Sequence, residues 1–251
     1  MLKLILGDCL EKMAEIPDDS VDLILADLPY GITACRWDSP IPFDKLWEHY
    51  LRLAKPRAAI VLTAVQPFTS ALVMSNPKLF RYSWVWDKVN RPTGHLNSHH
   101  RPMRQTEDVL VFSKTGRPTY NPQKTQGKPY KAGGGLSSQN YGERKRTASR
   151  MTDGLRGPRD LLAIPADERG TVGRLHPTQK PVALMDYLIK TYSNDGETVM
   201  DNVMGSGTVG VAAVRLKRSF IGIERDPAYF EIASRRISAE TTHTEHTSEV
   251  L

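Results

Sequence analysis

Apolar residues cluster in short runs at both ends of the chain and thin out in the middle. Leu2 to Leu6 and Val21 to Ala26 are apolar stretches that stop at polar or turn residues, the pattern of buried strands, and Cys9 to Ile16 between them has helical spacing. Further strands are predicted at Ala58 to Thr63, Tyr82 to Trp86 and Val109 to Phe112, with a helix over Phe43 to Leu53. Beyond a polar central stretch, Val182, Leu184, Met185, Leu188 and Ile189 form a helical stripe within Pro181 to Tyr192. The rhythm then continues: a strand at Thr198 to Met200, a glycine turn, a helix over Val209 to Leu216, a strand at Ser219 to Ile223 and a helix over Pro227 to Ile237. Strand, helix and strand in alternation imply an α/β fold with a mostly parallel sheet. From Ser238 onward Ser, Thr, His and Glu dominate, and a disordered tail over 238–251 is expected.

Charge changes the picture of the middle. Residues 113–175 carry thirteen Lys/Arg against five Asp/Glu, a balance of +8 in a chain whose total is +6, and ten of the eighteen glycines. Such a stretch cannot build a core alone, so it reads as an insertion between catalytic segments 1–112 and 176–237. It is either a solvated loop or a segment that neutralises phosphates, with Arg144, Lys145 and Arg146 the densest cluster. The length of 251 residues suits one catalytic domain with an insertion. There is no long apolar run, and the Met-Leu-Lys start has no signal-peptide pattern, so a cytoplasmic protein that avoids membranes is expected. Cys9 and Cys35, far apart, offer neither disulfide nor zinc spacing.

Two constellations carry candidate chemistry. Asp201-Asn202-Val203-Met204-Gly205-Ser206-Gly207-Thr208 lies where a strand turns into a helix, so glycines allow close approach to a backbone whose N–H groups are unpaired. Glu224 ends the next strand, 23 residues after Asp201, where a carboxylate can take both hydroxyls of a ribose. Together they imply a nucleoside-bearing cofactor, and the spacing is not that of a dinucleotide fingerprint. The second constellation, Asp27-Leu28-Pro29-Tyr30, follows a strand whose carboxyl end should face the ligand crevice. An exocyclic amine is a poor nucleophile because its lone pair is delocalised into the ring. Two acceptors on its N–H groups, Asp27 and the Leu28 carbonyl, would favour a pyramidal, reactive nitrogen. Pro29 biases Leu28 to an extended backbone, and Tyr30 offers a stacking face for a base removed from its duplex. Read without the rest of the chain, both constellations are also compatible with ordinary turns.

Taken in order, these motifs resemble the β-class amino DNA methyltransferases, which methylate adenine N6 or cytosine N4. Gly7-Asp8 resembles that family's adenine-contacting motif, Asp27-Leu28-Pro29-Tyr30 its catalytic Asp-Pro-Pro-Tyr, and His176-Pro177-Thr178-Gln179-Lys180-Pro181 its cofactor motif preceding the glycine loop. The loop resembles Asp-Pro-Phe-Met-Gly-Ser-Gly-Thr, and the family's order, catalytic motif early and cofactor loop late, is present. The resemblance covers 4–38 and 176–237, is looser around Trp84 to Lys88 and Thr106 to Phe112, and is absent from the basic segment. It implies a Rossmann-like methyltransferase fold with a target-recognition insertion, S-adenosylmethionine as cofactor, duplex DNA as partner, and a prokaryotic or phage source. Self-association to a homodimer is compatible with it. It further implies that Asp8 contacts the cofactor's adenine, Glu224 its ribose, and Thr178, Lys180, Ser206, Gly207 and Thr208 its methionine portion, with Asp201 and Gly205 completing the site. Leu28 stands where the family has proline, and Asn202-Val203 where it has Pro-Phe; neither removes a reacting group.

The expected reaction is direct attack of a flipped amino nitrogen on the sulfonium methyl, adenine N6 favoured over cytosine N4, with no covalent intermediate. Transfer to RNA or a protein amide, and a silent DNA-binding descendant, are the competing readings. His95, His99 and His100 match no familiar metal-ligand spacing, and no metal is expected. Trp84 and Trp86 alternate on a strand and could stack on bases or pack against the sheet, and Trp37 could also stack.

Overall fold

The computed structural model describes residues 1–32, 38–89, 91–133, 149–166 and 179–248. Thr178, Arg144, Lys145, Arg146, Cys35 and Trp37 lie outside the described residues. Two compact units emerge, Met1–Asn121 with Asp160–Leu251, and Pro122–Arg159.

The larger unit is built on an eight-stranded sheet. In chain order its elements are β1 (Leu2–Leu6), α1 (Cys9–Met13), β2 (Val21–Ala26), α2 (Phe43–Leu53), β3 (Ala54–Ala64), α3 (Phe68–Ser75), β4 (Phe80–Asp87) and β5 (Thr106–Phe112). The smaller unit carries the two-residue strands β6 (Thr125–Gln126), β7 (Lys131–Ala132), β8 (Arg150–Met151) and β9 (Leu155–Arg156). The larger unit resumes with β10 (Leu161–Ala163), α4 (Val182–Tyr192), β11 (Thr198–Asp201), α5 (Thr208–Arg215), β12 (Ser219–Glu224) and α6 (Pro227–Ser248). The strands lie in the order β1-β12-β11-β2-β3-β5-β4-β10. Within this sheet every pairing is parallel except those of β5 with β3 and β4, and the small pairs β6–β9 and β7–β8 are antiparallel.

Period-two alternation assigns the two faces. Ile24, Ala26, Ile60, Leu62 and Phe112 pack with Met13, Trp47 and Tyr50 on one side. Leu23, Leu25, Val61 and Val111 pack with Leu184, Leu188, Ala212 and Ile237 on the other. Helix α2 contributes Leu46, Trp47, Tyr50 and Leu53, all buried; a fully buried apolar side chain of this size contributes roughly 1.5–3 kcal/mol. Trp84 and Trp86 belong to the second core, at 3% and 2% exposure, and their indole N–H groups donate to the Tyr192 hydroxyl and the Ile164 carbonyl. They are packing residues.

Two expectations need correction, and one element was not foreseen. Helix α6 runs to Ser248, through the stretch expected to be disordered. Ser, Thr and Glu tolerate a helix once one side is anchored: Arg215 Nε holds Glu240 Oε1 at 2.9 Å, and the Thr241 hydroxyl donates to the Ile237 carbonyl at 3.0 Å. The compact second unit, 122–159, is narrower than the 113–175 suggested by charge and glycine content, because Leu161 to Ala163 leave that stretch to pair with Val85 to Asp87 of the main sheet. Helix α3 is absent from the sequence reading; its run Phe68-Thr69-Ser70-Ala71-Leu72-Val73-Met74 has no polar alternation to declare a helix, although Phe68, Thr69 and Leu72 become one buried side.

Candidate active site

Between β11 and β2 the chain order reverses: from β11 the connection through α5 leads to β12 on one side, and from β2 through α2 to β3 on the other. The carboxyl ends of strands flanking such a switch form the ligand crevice of an open α/β sheet. A cleft of about 860 Å³ opens there, lined by Asp8, Asp27, Tyr30, Asp201, Gly205 and Glu224 among others, and is large enough for a nucleotide-sized ligand.

At the cofactor end, Gly205 and Gly207 adopt left-handed φ values of 51° and 80°. A Cβ on Gly207 would lie 2.9 Å from that of Ala233, so this glycine is required by packing against α6 as well as by its backbone. Helix α5 begins there with no side-chain cap on its amino end. Glu224 Oε2 accepts from the Gly205 N–H at 2.9 Å and Oε1 from the Asp226 N–H at 2.8 Å, which fixes the carboxylate at the rim of the glycine loop. Asp8 caps α1 through the Leu10 N–H at 2.9 Å and lines the cleft. Ser206 and Thr208 are buried, and the Ser206 hydroxyl lies 3.2 Å from Gln179 Oε1. Asn202, where the family has proline, accepts from the Tyr50 hydroxyl at 2.7 Å and so ties the loop to α2. Asp201 is 3% exposed; burial, then the charges of Asp27 and Glu224, push its carboxyl up to about 8 against the pull of the Val203 N–H. Among the described residues no cation stands beside this buried carboxyl, which suits a ligand that brings one.

At the other end stands Asp27, on the first residue after β2. Its Oδ1 accepts from the hydroxyls of Tyr30, at 2.6 Å, and Thr63, and its Oδ2 from Lys180 Nζ at 2.7 Å. The Tyr30 ring packs on Phe68 with centroids 5.1 Å apart, and burial followed by the Asp27 charge raises its phenol well above the usual range. Lys180 lies between two carboxylates, its Nζ 3.3 Å from Glu107 Oε2 in a pairing too poorly aligned for a hydrogen bond. Burial opposes its charge, yet Asp27, Tyr30 and Glu107 hold its pKa well above that of a free lysine. Glu107 Oε1 in turn pairs with Lys88 at 3.2 Å, and Lys88, 3% exposed, donates to Thr93 at 3.2 Å. Alternating charges Asp27, Lys180, Glu107 and Lys88 thus line one wall. Leaving one partner of such a buried pair alone costs roughly 3–5 kcal/mol. Leu28 replaces the family's proline, and its side chain is buried in the core, so packing sets the backbone where a ring would.

The cleft therefore brings together Asp8, Asp27, Leu28, Pro29, Tyr30, Lys180, Asp201, Gly205, Ser206, Thr208 and Glu224. Lys180, expected beside the cofactor's methionine portion, lines this cleft and donates to Asp27. Thr63, Glu107 and Lys88 were not found from sequence. Thr63 was detectable as the β3 residue at the same sheet edge, whereas Glu107 reaches that edge only because β5 runs antiparallel, a direction the sequence does not announce. Among the described residues no group of His, Cys, Asp or Glu could hold a metal, and no helix is long and apolar enough to cross a membrane.

A family profile for N6/N4 methyltransferases, described as DNA methylase, matches residues 21–235. The chain belongs to this family. This DNA methyltransferase is 25% identical over 258 residues to the type II methyltransferase M.HpaI of Haemophilus parainfluenzae, covering 95% of this chain and 74% of the relative. Its fold matches the crystal structure of the M1.HpyAVI–SAM complex with a TM-score of 0.64 at 25% identity, over 94% of this chain and 99% of the other. The cytosine-N4-specific PvuII DNA methyltransferase gives a TM-score of 0.68 at 16% identity, over 97% and 92%, a likeness of fold.

Proposed function

We propose that this DNA methyltransferase binds S-adenosylmethionine between the glycine loop and Glu224 and methylates the exocyclic amino group of a base flipped out of duplex DNA, with Asp27 as the acceptor. The observation that carries the reading is the placement of Asp27 and Asp201 on neighbouring strand ends of one cleft, the first held by three donors and the second buried with no cation beside it among the described residues.

The residues present fit the cofactor. Glu224 would take the ribose hydroxyls, Asp8 the adenine, and Asp201 the cationic end. Gly205, Ser206, Gly207 and Thr208, with Thr178 from outside the described residues, would border its methionine portion. When bound, S-adenosylmethionine supplies an electrophilic methyl group. The Asp27 carboxylate and the Leu28 carbonyl accept the two amino N–H groups, which draws the nitrogen lone pair out of the ring. Asp27 then takes the proton that the nitrogen sheds on methylation. Tyr30, with Phe68 behind it, presents a ring to the base. Lys180 fixes the carboxylate's orientation from Oδ2. This acceptor pair reads the amino group itself, so it serves adenine N6, the favoured substrate, and cytosine N4 alike.

Tritiated-methyl transfer to DNA, RNA and protein in parallel tests the reading. Incorporation into DNA alone is expected, and chromatography of the digested product separates N6-methyladenine from N4-methylcytosine. Label entering only RNA or protein, or no substrate at all, overturns it.

A further inference from the structure

Residues 91–104, joining β4 to β5, form a closed hairpin at the mouth of the cleft. Thr93 and Arg104 exchange backbone hydrogen bonds of 2.8 and 2.9 Å. Inside this bridge Gly94 turns at φ 86° into a 3₁₀ turn over His95–Asn97, closed by bonds from Ser98 to His95 and from His100 to Asn97. The foot of the hairpin is anchored to the catalytic wall through Thr93, Lys88 and Glu107. Arg91, His95 and Arg104 line the cleft itself. The segment contains Arg91, Arg101 and Arg104 and no Asp or Glu. At its tip Leu96 is 78% exposed, a large apolar side chain on a turn whose own hydrogen bonds hold it there.

An apolar side chain displayed amid basic ones suits a duplex that must lose a base. Arginines neutralise phosphates without reading sequence, and an extruded base leaves an unstacked gap that apolar wedges fill in other nucleic-acid complexes. We infer that the 91–104 hairpin is a DNA-contacting element of this enzyme, with Leu96 entering the base stack beside the target and Arg101 on the flanking phosphates. The inference rests on the DNA-methylation reading above and adds residues that lie outside the basic 113–175 segment in sequence.

The test uses the full-length protein with Leu96→Ser and Arg101→Gln, on a duplex carrying the site at which the wild-type protein places methyl groups. A second duplex has random sequence. Substituting 2-aminopurine at the target base makes extrusion visible as fluorescence without any methyl transfer. Leu96→Ser should lower both the fluorescence rise and methyl transfer about tenfold on the fully paired duplex. Opposite an abasic position, where extrusion is cheap, it should come within about twofold of wild type. Arg101→Gln should weaken binding to target and random-sequence duplexes equally and reduce the salt slope by about 0.9. Wild-type extrusion by Leu96→Ser, or a deficit that persists opposite the abasic position, overturns the inference, as does a change in oligomeric state with extrusion intact. On the same duplex, wild-type turnover by Asp27→Ala with base extrusion unchanged would count against the catalytic reading and not against the hairpin.

Discussion

The two compact units are held by different physics. The larger one encloses its sheet between two apolar layers, and its chemistry sits on strand ends fixed by that burial. None of the apolar residues described within 122–159 is buried; its four strands are two residues each, and Met151 is 67% exposed. That unit is organised by polar and close backbone contacts: the Gln126 amide donates to the Asp153 carbonyl at 2.8 Å, and Arg156 lies 4.7 Å from the Tyr130 ring centroid. A Cβ at Gly154 would stand 2.2 Å from the Gly127 carbonyl oxygen, so the strands close only because no side chain intervenes. Burial holds reacting groups within fractions of an ångström, as transfer chemistry requires. A basic segment whose described residues bury no apolar side chain suits a task that tolerates adjustment, such as following a phosphate backbone.

If that contrast is right, substitutions at the strand ends of the cleft should affect chemistry and cofactor binding without touching general DNA affinity. Asp27→Ala has the largest expected effect, a fall in turnover of about 10²–10⁴-fold with cofactor affinity retained, measured by single-turnover methyl transfer beside calorimetry. Near-normal turnover would mean that the acceptor lies elsewhere. Glu224→Ala should weaken cofactor binding by about tenfold to a hundredfold, the worth of a hydrogen bond to a charged group, while DNA binding without cofactor is unchanged. Asp201 gives a gentler, pH-dependent effect. Its carboxyl keeps its proton up to about 8 in the folded protein and must release it to pair with a cationic ligand, so cofactor affinity should rise with pH, by at most about tenfold per unit, and level off above about 8. The same raised value means that the folded chain binds a proton the unfolded chain has lost, so this group erodes stability of the free protein as pH climbs from about 4 to about 8. Asp201→Asn should flatten both profiles, readable by calorimetry and by thermal melts across pH; profiles parallel to wild type would remove Asp201 from the cofactor site.

The parts of this design that were legible in sequence are those that local pattern dictates. The near-continuous apolar run Val21 to Ala26 and the stripe in Phe43 to Leu53 declare a buried strand and an amphipathic helix through local pattern alone. Asp27 follows and Glu224 ends a strand whose parallel sense carries it to one edge, so a crevice could be inferred before any contact was known. Glu107 and Lys88 were not legible, because their membership of the site depends on β5 reversing direction and on a register visible only in three dimensions. Asp201 announced itself as part of a loop, but not as a buried carboxyl. Leu28 stands where the family's motif has proline, and its burial, invisible in the sequence, supplies the restraint that the missing proline would have given. Charge density misplaced the edges of the insertion for the opposite reason: it reports what faces water, and Leu161 to Ala163 show that a strand of the main sheet can begin inside a basic stretch.

The smallest expected effect belongs to the basic segment and sharpens the comparison from its other side. Arg144, Lys145 and Arg146 lie in the part of the chain whose charge balance is +8, and phosphate contacts made there would act on every sequence alike. Replacing all three with glutamine should therefore weaken binding to target and random duplexes by the same factor. Each phosphate left without its cationic partner should reduce the slope of log affinity against log salt by about 0.9. Cofactor affinity and the rate of methyl transfer at saturating DNA should stay at wild-type values, since the strand ends that carry the chemistry have their own core. A residue that reads a base edge would behave otherwise, costing roughly 1–3 kcal/mol at one position of the site and relaxing specificity there. Titrations at several salt concentrations, on duplexes with and without the methylated site, separate the two. An unaltered slope would assign this cluster to solvated loop, and a slope change confined to the target duplex would make it a reader of sequence.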